Sequence, residues 1–232
     1  ERLSTEILSV ALPDFELLDA FELIKTDTTF EKHTPDINVS NKLIAEAYNK
    51  SSKRVLVAGF ISKCDTTGEI TNLGRGGSDY TAAIFASALD ASILEIWSDV
   101  DGFMSADPKV INNAHVIKTL SFTEATELCN FGAKIIYPPT IFPVYHKNIP
   151  IAIKNSFKPE APGTLISNNG HDENSKALIK GISSISDTCL LTVQGLGMWG
   201  IMGGNSRMLR SLANKRVSVF PVSEASSENS GW

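Results

Sequence analysis

The chain has 232 residues, 42% hydrophobic and 20% charged, with 16 glycines and 10 prolines, so a disordered, collagen-like or low-complexity protein is excluded. A formal net charge of −5 lacks the basic footprint of a nucleic-acid binder. No run of about 18 apolar residues is present to span a bilayer, so no membrane partner is expected.

Cys64, Cys129 and Cys189 are far apart, with no CxxC pair and no metal-ligand spacing, which suits free thiols in the cytoplasm. The first residues, ERLSTEILSVAL, lack the basic segment and cleavage site of a secretory leader. They do not start with Met either, and a piece of a longer chain is expected.

In chain order, Leu3, Ile7, Leu8, Val10 and Ala11 recur near helical spacing until Pro13 ends the run. Phe15 to Leu18 reads as a strand, and residues 40–50 as a helix with Leu43, Ile44 and Ala47 on one face. RVLVAGFI (54–61) is a continuous apolar run, the pattern of a strand buried on both faces. KCDTTGEITN predicts a turn or hairpin, and LGRGGSD leads into a small-residue helix from Ser78 to Ala91. ILEIWSD (93–99) is a second buried strand. In SFTEATELCNFG, Ser121 and Glu124 form a capping box and Gly132 a terminator. An irregular helix follows over 138–147, opening on Pro138-Pro139, and then the strand IPIAIKNSF. This alternation predicts an α/β fold with a mostly parallel sheet. The polar, Pro- and Gly-rich stretch 158–176 marks a domain boundary or linker. Beyond it, TCLLTVQG, a helix over IMGGNSRMLRSLANKR and the strand VSVF predict a β-α-β unit too short to bury a core alone.

Four segments are candidates for chemistry. In TNLGRGGSDYTAA (71–83), three glycines let backbone N–H groups approach an anion, Ser78 opens a helix whose N-terminus favours negative charge, and Arg75 can grip a carboxylate in a fork. The plain alternative is a flexible turn with Ser78 as N-cap and a solvated Arg75. In WSDVDGFMSADPK, Asp99, Asp101 and Asp107 could face a ribose or an ion, or simply cap the strand and turn at Asp101-Gly102. Lys134 in FGAKIIYPP could reach phosphates or snorkel from a helix end. Gly195 to Gly200 matches GxGxxG, with Glu224 further on, as a dinucleotide site would. Without a remaining sheet, a tight turn is the better reading. His33, His115, His146 and His171 show no ligand spacing, and no metal site is expected.

GFISKCDTTGEITNLGRGGSDYTAA, IWSDVDGFMSADPK and FGAKIIYPPT, in this order and spacing, resemble the aspartokinases of the amino-acid kinase family. The tail VQGLGMWGIMGGNSRMLRSLANKRVSVF…SSENS resembles the opening of an ACT regulatory domain, closest in pattern to the aspartokinases fused to homoserine dehydrogenase.

The resemblance implies a three-layer fold, with residues 1–170 as the C-terminal part of the kinase domain and 171–232 as the start of an ACT-like domain. It implies transfer of the ATP γ-phosphoryl group to the β-carboxylate of L-aspartate, with ATP and Mg²⁺ as cofactors. Arg75 and Ser78 would hold aspartate, with backbone contact from Gly76 and Gly77, Phe60 lining the pocket and Glu1 binding the amine. Asp79 would organise the catalytic centre. Ser98, Asp99, Met104, Lys109 and Lys134 would contact ATP, with Lys109 standing where the family often has arginine and Met104 where it often has tyrosine. An amino-acid effector is implied, threonine ahead of lysine, together with a homodimer or larger assembly through ACT domains. The family's KFGGT-type phosphate segment has no counterpart here, so these 232 residues alone are expected to be inactive. The alternatives are an amino-acid-binding regulatory module and a related kinase acting on another small carboxylate.

Overall fold

The computed structural model describes residues 1–27, 34–170, 179–194, 204–217, 219 and 230–231. The chain divides into two units, Glu1–Ser184 and Ile185–Trp232.

The first unit opens with α1 (Arg2–Ala11), which stops before Pro13 because proline cannot continue the ladder. β1 (Phe15–Leu18) pairs in parallel with β4 (Arg54–Val57). The apolar run 54–61 is not the single buried strand its composition suggests. It breaks at Gly59-Phe60, where Phe60 takes a φ of 72°, and resumes as β5 (Ile61–Cys64) in another sheet. That second sheet has the order β3 (Thr34–Pro35), β2 (Lys25–Asp27), β5, β6 (Ile70–Asn72). The β5–β6 pair is the expected hairpin, antiparallel and turned with Gly68 at positive φ. α3 (Ile37–Lys50) buries Ile44 completely against Leu23 of α2 (Ala20–Leu23), Ile24, Leu73 and Ile84, with Leu43 and Ala47 packed alongside. Ile84 comes from α4 (Gly77–Ala88), whose small residues allow close packing.

The third sheet has the order β7 (Leu94–Ser98), β9 (Ile151–Asn155), β10 (Thr164–Ile166), β8 (Thr119–Leu120). Its core face carries Ile96, Leu120, Ile151, Ile153 and Ile166, closed by Phe103 and Ile141. β7 is buried on that face only. On the other, Trp97 is 44% exposed, donates to Glu95, and lies under Lys154 Nζ at 5.1 Å from its ring centre. α5 (Phe122–Asn130) has the full capping box, with Ser121 Oγ accepting from Glu124 N–H and the Glu124 carboxylate accepting from Ser121 N–H. The proline-rich helix is a short 3₁₀ turn (Pro138–Thr140) followed by α6 (Ile141–Tyr145), which ends earlier than its sequence pattern suggests. Parallel ladders join β1 to β4, β2 to β5, β7 to β9 and β8 to β10, an α/β architecture.

In the second unit, β11 (Val193–Gln194) precedes α7 (Gly204–Asn214) as expected, but β11 pairs antiparallel with β12 (Ser230–Gly231), a strand that the sequence pattern does not predict there. Val217 and Val219 lie outside any strand, and the other two residues of VSVF are outside the described residues. So are Gly195 to Gly200, Glu224, His33 and His171. All three cysteines are free. No helix among the described residues is long and apolar enough to cross a membrane.

Candidate active site

The glycine turn is built by two chain reversals that interlock. Gly76 has a φ of 65° and caps α4, so Ser78 lies inside the first turn instead of opening it. A Cβ on Gly76 would overlap Cβ of Tyr137, and one on Gly77 would come within 2.8 Å of the Phe60 ring. Only glycine permits that approach. Phe60 is fixed on both sides: its N–H donates to Thr81 Oγ1 (3.1 Å) and its carbonyl accepts from Leu73 N–H (2.9 Å). Thr81 in turn donates to the Gly77 carbonyl at 2.8 Å. A non-glycine residue held at positive φ by two such bonds, one of them to a threonine that is itself tied down, is a strained position that its surroundings over-determine, as functional sites often contain.

This frame leaves the polar groups of the turn unused. Arg75 and Ser78 are exposed, and Arg75 has no hydrogen bond or ion pair among the described residues. The N–H groups of Ser78 and Asp79 have no backbone acceptor there, leaving the positive end of a 12-residue helix open. Burial raises the Asp79 carboxyl above its ordinary range. It also raises the neighbouring Tyr80 phenol, with a further push from Tyr137.

The three acids after β7 separate into distinct tasks. Asp101 is structural: it accepts from Asn155 Nδ2 at 2.6 Å and Lys158 Nζ at 2.9 Å, and those bonds lower its pKa. Asp107 accepts from the Lys109 N–H and shapes its own turn. Asp99 is exposed without a partner among the described residues, and Lys109, further along the same loop, is exposed too. Ser98 sits at the carboxyl end of β7, and Met104 bridges to Val116 across the same loop. Thr164 anchors that loop: its hydroxyl accepts from Phe103 N–H at 2.8 Å and donates to the Ile117 carbonyl at 2.6 Å, with the residue 1% exposed. Thr164→Val strands a buried donor and acceptor at once and should lower stability by roughly 1–3 kcal/mol in chemical denaturation. A shift within 0.3 kcal/mol or so would show that the loop holds without it.

Lys134 is exposed, on the segment that ends at Tyr137 and so abuts the glycine turn. Glu1 caps α1 through its carbonyl, which accepts from the Ser4 and Thr5 hydroxyls, while its carboxylate has no partner among the described residues. Arg2, next to it, pairs with Glu6 and Asp19 and lines a cleft of about 110 Å³ together with Ala58 and Ile61, the residues flanking Gly59-Phe60. The structure therefore gathers Phe60, Gly76, Gly77 and Ser78, places Lys134 on an adjoining segment, and leaves Glu1 on a helix that borders the 58–61 turn. Tyr137, Thr81 and Thr164 support the site and are absent from the sequence-based set. An aromatic just before Pro-Pro and threonines in two α/β junctions were the available signals, and neither is specific.

The sequence profile of the Amino acid kinase family matches residues 1–155. The chain belongs to the amino acid kinase family. Among curated relatives, it is 42% identical over 195 residues to the bifunctional aspartokinase/homoserine dehydrogenase of Haemophilus influenzae, covering 84% of this chain and 24% of that protein. It is 34% identical to the lysine-sensitive aspartokinase 3 of Escherichia coli, covering 94% of this chain and 48% of that one. The crystal structure of E. coli aspartokinase III in complex with aspartate and ADP superposes with a TM-score of 0.79 at 29% identity, covering all of this chain and 52% of that one. This chain of the family thus spans about a quarter to a half of the length of these relatives.

Proposed function

We propose that this chain contributes the aspartate- and nucleotide-binding region of an aspartate kinase, which transfers the γ-phosphoryl group of ATP to the β-carboxylate of L-aspartate and releases ADP and 4-phospho-L-aspartate. The observation that carries this reading is the interlocked turn of Phe60, Gly76 and Gly77. It presents an Arg75 guanidinium without a partner among the described residues, and an open helix N-terminus, as an anion site. Similarity to a kinase structure holding aspartate and ADP supports it.

Each group then has a physical task. Arg75 and Ser78 receive the substrate carboxylates, Gly76 and Gly77 let the backbone approach them, Phe60 closes the pocket wall, and Glu1 takes the amine. A carboxylate nucleophile is already ionised near neutral pH and needs no general base. What remains is to overcome repulsion between an acidic amino acid and a triphosphate by fixed positive charge and positioning. Lys134 and Lys109 serve the phosphates, with Ser98, Asp99 and Met104 along the nucleotide. Asp79, half-buried on the same helix turn, orders the reacting centre. No cluster of three or more His, Cys, Asp or Glu side chains able to hold a metal occurs among the described residues. Mg²⁺ usually binds through one or two carboxylates plus substrate phosphates, and Asp79 and Asp99, whose carboxylates have no partner among the described residues, fit that role. When bound, it supplies charge neutralisation at the phosphates.

Residues 1–170 form the kinase part of this reading, and residues 171–232 an ACT-like regulatory segment. Greater identity to the bifunctional relative than to the lysine-sensitive one supports threonine ahead of lysine as effector. ACT-like pairing would give a homodimer or larger assembly in the cytoplasm.

The test is ADP release by the full-length protein with Mg·ATP, with and without L-aspartate, then with threonine or lysine. Aspartate-dependent release suppressed by threonine is expected. Suppression by lysine alone overturns the effector assignment, and release indifferent to aspartate overturns the kinase reading. Lys134→Ala should raise the KM for ATP by about tenfold, the scale of one charge-assisted contact, and leave the KM for aspartate within about twofold. An unchanged ATP dependence would remove Lys134 from the site.

A further inference from the structure

The segment 179–184 packs against two parts of the first unit that carry nucleotide-binding candidates. Lys180 Nζ donates to Glu124 Oε2 and to the Gly170 carbonyl, both at 3.0 Å. The same Glu124 oxygen accepts from the Ser121 N–H at 2.7 Å, so the ammonium closes the capping box of α5. Two residues on, the Ile182 N–H donates to the Ser105 carbonyl at 2.9 Å. Gly181, between them, is wedged: a Cβ there would meet Ile117 Cδ1 at 3.0 Å and Leu128 Cδ2 at 3.5 Å.

Each contact has a consequence along the chain. Ser105 follows Met104 and is itself cross-linked to His115, whose carbonyl accepts from the Ser105 N–H at 2.8 Å and whose own N–H donates to Ser105 Oγ at 3.1 Å. Holding Ser105 therefore fixes the base of the loop that bears Lys109. Leu128 and Glu124 belong to α5, and Lys134 stands four residues past its end at Asn130, beyond Gly132. Burial pushes the Glu124 carboxyl up, but the Ser121 N–H, the Lys180 ammonium and the Ser121 hydroxyl outweigh it, so its pKa is lowered and the ion pair is intact at neutral pH. The side chains are only 21% and 30% exposed.

We propose that Lys180 is a positioning residue for the nucleotide half of the site, clamping the Met104–Lys109 loop and the α5–Lys134 segment in one arrangement. It touches neither substrate. Its effect passes through Glu124 and through the Ile182–Ser105 backbone bond. The inference rests on the aspartate kinase reading only for the identity of the nucleotide.

The test is Mg·ADP binding by calorimetry and steady-state kinetics on the full-length protein and its Lys180→Met, Lys180→Arg and Gly181→Val variants. Lys180→Met should weaken Mg·ADP and raise the KM for ATP by about tenfold, the scale of one charge-assisted hydrogen bond. The KM for aspartate should stay within about twofold, because among the described residues the hydrogen bonds of Lys180 and Ile182 go to Glu124, Gly170 and Ser105 and none goes to the glycine turn. Lys180→Arg should restore most of the affinity, since it keeps the charge and adds donors. Gly181→Val, which leaves both charges in place but crowds Ile117, should reproduce the ATP-selective loss. Unchanged Mg·ADP affinity in both Lys180→Met and Gly181→Val overturns the proposal. A parallel loss for ATP and aspartate also overturns it, as general structural damage. A parent protein that binds Mg·ADP but shows no aspartate-dependent turnover would overturn the kinase reading, while the binding comparison would still decide the role of Lys180.

Discussion

Arg75→Ala should raise the KM for aspartate by about 10- to 100-fold at saturating Mg·ATP, while the KM for ATP moves by less than about twofold. The magnitude is that of a charged hydrogen-bonding group taken from an anionic ligand, roughly 1.5–3 kcal/mol. The selectivity follows from placement, since Arg75 stands on the glycine turn, whereas Lys109 and Lys134 stand on other segments. Stability should not change: the guanidinium has no partner among the described residues, so its removal leaves no fold contact unmade. Arg75→Lys should recover only part of the loss, because a point charge cannot reproduce the two-pronged fork. Initial rates over an aspartate titration, with a thermal melt of each variant, decide it. Equal losses for aspartate and ATP would remove Arg75 from the substrate side, and a lowered melting temperature would make it a structural residue.

Local signals were legible in the sequence where one residue type is nearly obligatory. The Ser121–Glu124 capping box, the stop before Pro13 and the Gly68 hairpin depend on short-range chemistry, and the structure has each of them. The chain reversal at Gly59-Phe60 was not legible. RVLVAGFI reads as one strand because nothing in its hydropathy records that a phenylalanine takes a left-handed φ. That conformation is imposed from 21 residues away by Thr81 and from 13 away by Leu73. The acids after β7 illustrate the same limit. Asp99, Asp101 and Asp107 look equivalent in sequence, yet Asn155 and Lys158 claim Asp101 and a backbone N–H claims Asp107. Charge type was readable and charge availability was not, because the partners that claim Asp101 lie more than 50 residues distant, and nothing local says which acid turns back on its own backbone. Tyr137 belongs with these: its packing on Gly76 is purely tertiary.

That packing gives the second large effect. Gly76→Ala should destabilise the fold by about 2–5 kcal/mol: a left-handed φ costs a residue with a Cβ roughly 1–2 kcal/mol, and overpacking adds about 1–3 kcal/mol. The deepest overlap is with Cβ of Tyr137, ahead of the ring carbons Cγ at 2.9 Å and Cδ1 at 3.2 Å, which yields a sharper expectation than the loss itself. Tyr137→Ala keeps that Cβ and removes only the lesser crowding by ring carbons, so Gly76→Ala/Tyr137→Ala should recover little of the loss seen in Gly76→Ala. Tyr137→Gly removes the overlapping atom and should recover the steric share while leaving the φ cost, so a double-mutant cycle separates the two. Urea denaturation of the single and double variants supplies the measurement. Recovery by Tyr137→Ala would show that the ring, not the backbone spacing, sets the separation of the two segments. In the variants that still fold, aspartate binding should fall with the displacement of Arg75 and Ser78. Among the described residues, those two side chains have no hydrogen bond or ion pair to anchor them beyond the turn that Gly76 shapes.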